Sequence, residues 1–354
     1  MDPRIEKAAD ILVKQSCKVV KGERVIISTD IAAKDLALAC YKRCLLAGAI
    51  PKIRTSLPGA AFLYYTLAKK PQIMDFPEEE FFEIKRTDCI IYLNAPENTR
   101  ELSNTAPSLI GLRRKVVKEI SDWRVQKTRW VLFNFPSDAL AQEADMSLEE
   151  YTDFVFKATN IDWAAHAKKY EPLKRILDRG KEVHIVGEDT DIWLDITGRT
   201  AINSSGRHNV PDGEVFMGPV ETKTEGHIRY TFPAIYGGRE VQDVRLEFKK
   251  GKVVKATAAK NEQLLKTLIK TDKGACMLGE LGVGTNFMID RFVKQILFDE
   301  KIGGTIHLAL GMAYKEGGGV NESAIHWDMI KDLRKGGRLE VDGKTIQKDG
   351  KFLF

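Results

Sequence analysis

Over roughly the first 170 positions, apolar residues switch repeatedly between two spacings. Residues 5–16 carry them at helical intervals, and Val25, Ile26 and Ile27, entered through Lys21-Gly22-Glu23, form a β-branched run that predicts a strand. Residues 33–47 predict an amphipathic helix ending at Gly48. Strands at 51–55, 89–93 and 130–133 and helices at 60–69 and 109–120 continue the alternation. Strand and helix in turn at this spacing predict βαβ units and a mostly parallel sheet. Pro136 closes the pattern, and residues 148–179 read as mostly helical.

After Gly180 the texture changes. Residues 183–186, 192–196 and 244–248 read as strands, Gly251 between Lys250 and Lys252 marks a hairpin turn, and 261–270 reads as a helix. The remainder is short strands and Gly-rich turns. A chain of 354 residues favours two domains. The expected division is an α/β N-terminal domain over 1–174 and an α+β domain over 175–354.

Composition narrows the function classes. The hydrophobic fraction of 43% can fill sizeable cores, and the charged 30% is mixed in sign, with a net charge of +5. Short basic clusters such as Arg113-Arg114-Lys115 sit in helix-like segments, and no aromatic–basic interleaving suggests nucleic acid. Five cysteines without a CxxC pair read as reduced thiols. No secretory leader or long apolar run is visible, so a cytoplasmic protein with no membrane partner is expected.

Candidate chemistry is uneven. The first half offers one histidine, His166, which reads as a helix-surface residue, and no Gly-rich phosphate loop follows its first strand. The second half holds four segments that set acids or histidines beside glycines or apolar runs: 211–216 with Glu214, 279–286 with Glu280, 298–307 with Glu300 and His307, and 325–328 with His326 and Asp328. The last is the sharpest. Two residues apart on a strand, His326 and Asp328 face one side, and buried polar groups inside an apolar run need partners. A metal suits an imidazole and a carboxylate together. Taken singly, each residue also has a plain structural reading. Glu214 fits a loop acid, Glu280 a cap or ion pair and His307 a satisfied core histidine, while His208 and His227 show no ligand spacing.

Taken in order, these segments resemble the thermophilic-type metallo-aminopeptidase family (the aminopeptidase T, AmpS and PepS type), in an archaeal-type version with Gly303-Gly304 before His307. The match runs through 209–216, 279–286, 298–311, 321–330 and 336–352, and extends weakly to the opening helix and Lys21-Gly22-Glu23-Arg24-Val25. The resemblance implies a metal-dependent aminopeptidase acting on short peptides through two divalent ions, zinc, cobalt or manganese, in a homodimer. Glu214, Glu280, His307, His326 and Asp328 sit at its ligand positions, and Glu300 matches a further acidic one although the glycine pair lengthens its segment. Glu280 is implied as bridging ligand and general base, and Tyr314 as the catalytic tyrosine. Tyr314 follows His307 by seven residues, an odd offset that a continuous strand would turn to the wrong face unless Gly311 bends it. Without metal, the four carboxylates are expected to raise one another's pKa values. Alternatives are another metal-dependent amide hydrolase, or an inactive small-molecule-binding relative.

Overall fold

The computed structural model of the chain describes residues 2–354. Contacts divide it into two compact units, one running to Asn160 and including Gly206–Pro211, the other made of Ile161–Ser205 and Asp212–Phe354.

The first unit is an α/β structure around a five-stranded, wholly parallel sheet. Its strand order is Ile50–Ser56, Arg24–Asp30, Cys89–Asn94, Arg129–Asn134 and Asn209–Val210. The β-branched run forms an interior strand, with Val25, Ile26 and Ile27 all buried, as expected of a parallel sheet covered on both faces. Cys17, Cys40, Cys44 and Cys89 are buried free thiols. Details depart from the apolar spacing. Residues 5–16 are α-helical only to Asp10 and continue as a π-helix over Ile11–Ser16. Residues 109–120 span two helices, Pro107–Val116 and Lys118–Lys127, broken at Val117 (ψ 12°). A break of one residue leaves the periodicity almost intact, so spacing cannot reveal it. The short helix Asp138–Glu143 is capped by Ser137, whose hydroxyl accepts from Leu140 N at 3.4 Å.

The second unit holds the helix Trp163–Arg179, two large antiparallel sheets of eight and five strands, and a two-stranded antiparallel ribbon. The hairpin joining Arg245–Lys249 to Lys252–Thr257 turns at Lys250 (φ 49°) and Gly251 (φ 77°). Two successive positive φ values give the primed turn that matches strand twist. Alternate residues of both sheets, among them Val183, Ile185, Leu194, Leu281, Ile306 and Leu308, enter one core with Leu173 and Leu177 of the helix. Among the described residues, no helix is long and apolar enough to cross a membrane.

Candidate active site

The five-stranded sheet carries the site. Its order is His326–Asp332, Thr305–Gly311, Leu278–Gly284, Glu214–Met217 and Ile202–Ser204. Side chains alternate across it. Val215, Met217, Leu281, Val283, Leu308, Leu310, Trp327 and Met329 fill the core on one face. The residues between them place Glu214, Glu280, His307, His326 and Asp328 on the other. The polar residues within each apolar run are thus one face of one sheet.

Register and side-chain size then bring them together. Glu280 lies opposite Ala309, and Ala309 opposite Asp328, so a single methyl separates the two carboxylates across three strands. Gly282 lies opposite His307. A Cβ on Gly282 would fall 2.0 Å from His307 Cε1 and 2.1 Å from Nε2. The imidazole therefore lies over the glycine, its Nε2 3.0 Å from Glu280 Oε1 and 3.3 Å from Glu214 Oε2.

Both histidines are aimed from behind. His307 Nδ1–H donates to the Glu300 carbonyl at 3.0 Å, and His326 Nδ1–H to the Met312 carbonyl at 2.7 Å. Each Nε2 is thereby turned to the cluster, the tautomer a metal-ligating histidine needs. His326 Nε2 lies 3.4 Å from Asp328 Oδ1 and 3.8 Å from Glu280 Oε2. Glu214 Oε2, Glu280 Oε2 and Asp328 Oδ1 are buried without a hydrogen-bond partner. Stranding three carboxylate oxygens is costly unless a cation completes them. The ligand atoms of three triads, Glu214–Glu280–His307, Glu280–His326–Asp328 and Glu300–His307–Asp328, each lie within 4.8 Å of one another. The donor set fits divalent metal.

Glu300 does join this cluster. It shares it with Lys301, which no pattern in the sequence singles out. The Lys301 side chain is fully buried, its ammonium hydrogen-bonded to Glu300 Oε1 and 3.4 Å from Glu214 Oε1. Tyr314 lies beyond the strand end. The strand stops at Gly311 (φ 101°), where a Cβ would meet Ile325 O at 2.1 Å, and the Tyr314 ring then settles 4.9 Å from that of His326. The chain turn, rather than strand parity, decides where the phenol sits.

The metal-free electrostatics differ from simple mutual repulsion. Burial, ahead of neighbouring acids, pushes Glu214 and Glu300 upward. Asp328 goes the other way: burial raises it, but His326 outweighs that and holds it well below the usual carboxylate range. Burial opposes charge on His307 and His326, yet Glu280 and Glu214 bring the first up to about 9 and Asp328 brings the second up to about 10. For Lys301, Glu214 and Glu300 outweigh burial and keep the ammonium well above its ordinary value. Without metal, the imidazolium groups and Lys301 supply the positive charge.

The remaining histidines stand apart from these ligands. His227 is exposed on the strand Glu225–Arg229, and His208 stacks on Trp130 at 4.6 Å. His166 is not on an outer helix surface. Its Nε2–H donates to Thr285 O at 3.3 Å, its Nδ1 is 3.2 Å from the Ser205 hydroxyl, and it packs on Trp163 and Tyr170. Burial depresses its pKa from 6.5 to about 4. The unfolded chain therefore binds this proton first, and the fold loses stability as pH falls from 6.5 towards 4, by at most about 3 kcal/mol. Urea unfolding across that window is expected to show a shallower acid slope for His166→Gln; an unchanged slope assigns the loss elsewhere.

Carboxylate oxygens without hydrogen bonds and two inward-aimed imidazoles on one sheet define the class as a divalent-metal enzyme. The chain belongs to the thermophilic metalloprotease family (M29), whose model it matches over residues 1–352. Aminopeptidase AmpS of Bacillus subtilis is 25% identical, covering 99% of this chain and 98% of the relative. Aminopeptidase 2 of Geobacillus stearothermophilus is 26% identical over 99% and 95%. The structure of wild-type AmpT from Thermus thermophilus shares the fold, with a TM-score of 0.88 at 23% identity over 99% of both chains. A 2,5-dihydroxypyridine dioxygenase from Pseudomonas putida shares it more distantly, at 0.64 and 12% over 100% and 98%. A fold found in a hydrolase and a dioxygenase leaves the chemistry to the site.

Proposed function

We propose that this chain removes N-terminal residues from short peptides at a co-catalytic pair of divalent metals, zinc, cobalt or manganese. Family membership makes it a metallo-aminopeptidase; the metal pair, the peptide length and the residue roles are the proposal. It rests on one observation above all, the convergence of Glu214 Oε2, Glu280 Oε2 and Asp328 Oδ1, buried and without a hydrogen bond, on the two histidine Nε2 atoms. Glu214, Glu280, Glu300, His307, His326 and Asp328 would hold the ions. When bound, the metals supply Lewis acidity towards the scissile carbonyl and the attacking water.

The chain's own groups do the rest. Glu280, at the centre of the set with one oxygen free, takes the proton of the attacking water. Tyr314, beside His326, donates a hydrogen bond to the developing oxyanion. Glu300 and Asp328 form the less buried side of the cluster, their side chains 15% and 11% exposed against 7% for Glu214 and Glu280. They receive the substrate's free amino group. The same reading includes a cytoplasmic homodimer.

Chelation with add-back tests this. Purified protein should carry two equivalents of metal, cleave aminoacyl anilides and leave their N-acetylated forms intact. Stripping the metal should abolish cleavage and lower the melting temperature by on the order of 5–10 °C, with both recovering on add-back. Cleavage of the acetylated substrate, or activity that survives verified metal removal, would sink the proposal.

A further inference from the structure

Lys301 belongs neither to the metal ligands nor to the proposed chemistry, yet it is built into the site. Its side chain is fully buried. Its backbone is pinned on both sides, Lys301 N donating to Phe298 O and Lys301 O accepting from Asn286 N, each at 3.0 Å. The ammonium takes Glu300 Oε1 and approaches Glu214 Oε1 at 3.4 Å, leaving Glu214 Oε2 to face His307. Buried Asp212, held by the Ser204 hydroxyl and Gly213 N at 2.9 Å each, adds a further negative charge that acts on the ammonium. The opposite end of the site has no lysine: its basic group is the His326 imidazole, which is itself a candidate ligand. There Glu280 Oε2 and Asp328 Oδ1 accept no hydrogen bond, and His326 Nε2 faces both at 3.8 and 3.4 Å.

We infer that Lys301 is a fixed counter-cation that makes the two metal positions unequal. The inference rests on the two-metal reading above and adds to it the order of filling. The first ion binds tightly among Glu280, His326 and Asp328. The second, entering at the Glu214–Glu280–His307 group, meets an ammonium that already occupies lone pairs of Glu214 and Glu300 and repels a second positive charge at short range in a poorly screened interior. Lys301 is thus a positioning residue. It holds Glu214 and Glu300 in place when the second position is empty, and it weakens that position when metal arrives.

The test is a calorimetric titration of metal-free full-length protein with Mn²⁺, wild type beside Lys301→Met and Lys301→Arg, with metal content measured independently. In the wild type, the second ion should bind about 100-fold more weakly than the first. Lys301→Met should tighten the second event at least about tenfold while moving the first less than about threefold, and Lys301→Arg should keep the asymmetry. Two ions bound by Lys301→Met with wild-type affinities would overturn the inference and leave the two-metal reading standing. A wild type that binds one ion where Lys301→Met binds two would uphold the lysine's role and overturn the two-metal reading of the wild type. One ion or none in both would overturn both. Should Lys301→Met fail to fold, electron paramagnetic resonance of the wild type decides. An isolated six-line Mn²⁺ spectrum at one equivalent, with spin coupling only in excess, upholds the inference; coupling already at one equivalent overturns it.

Discussion

Glu280→Gln is expected to lower kcat by about 10⁴-fold at saturating metal, the upper range for a general base. Glu280 is buried at the centre of the ligand face, opposite Ala309 on one neighbouring strand and one strand removed from Asp328. One of its oxygens lies 3.0 Å from His307 Nε2, and the other accepts no hydrogen bond. A glutamine keeps the shape and an acceptor oxygen for His307. It loses the ability to take a proton, and its uncharged amide binds metal less well. Turnover must therefore be measured together with metal content, at concentrations that restore occupancy. A kcat within tenfold of wild type at full occupancy would move proton transfer to another group. A deficit cured entirely by excess metal would leave Glu280 as a ligand only.

Gly282→Ala should be nearly as damaging, although the residue carries no functional group. The added methyl would lie 2.0–2.8 Å from His307 ring atoms, and the strand backbone has no freedom to retreat because it is paired on both edges. The imidazole must leave, taking Nε2 away from Glu280 and Glu214. Metal affinity and kcat are each expected to fall by at least about 10²-fold, beyond the usual effect of disturbing a residue that merely orients a ligand. The fold should survive, with a cost of about 1–3 kcal/mol typical of overpacking. Wild-type metal affinity in a well-folded Gly282→Ala protein would mean that His307 does not need its present position to serve the site.

Much of the architecture was legible because it depends on local patterns. Strand–helix alternation marked the parallel sheet of the first unit, and the two-residue spacing of His326 and Asp328 matched a strand with both groups on one side. What the sequence hid depends on pairing between distant segments. Gly282 and His307 are 25 positions apart (307 − 282), and only the antiparallel register shows that one must be small for the other to lie flat. Ala309 gains its meaning in the same way, as the low point between Glu280 and Asp328. No local pattern marks Lys301, and only its burial beside Glu214 and Glu300 makes it part of the site. The expectation that the acids raise one another failed for Asp328 because pattern cannot place His326 Nε2 3.4 Å from its carboxylate. Partial burial against Trp163 and Tyr170 likewise took His166 off the open helix surface.

Glu280 and His307 stand on interior strands, each hydrogen-bonded along both edges. Backbone amides in such places exchange with solvent mainly through large-scale opening of the fold. The site is consequently a socket rather than a clasp. A metal held there would enter and leave while the strands that present its ligands stay paired, so its exchange rate is expected to follow ligand substitution at the cluster and not the much slower opening of the sheet.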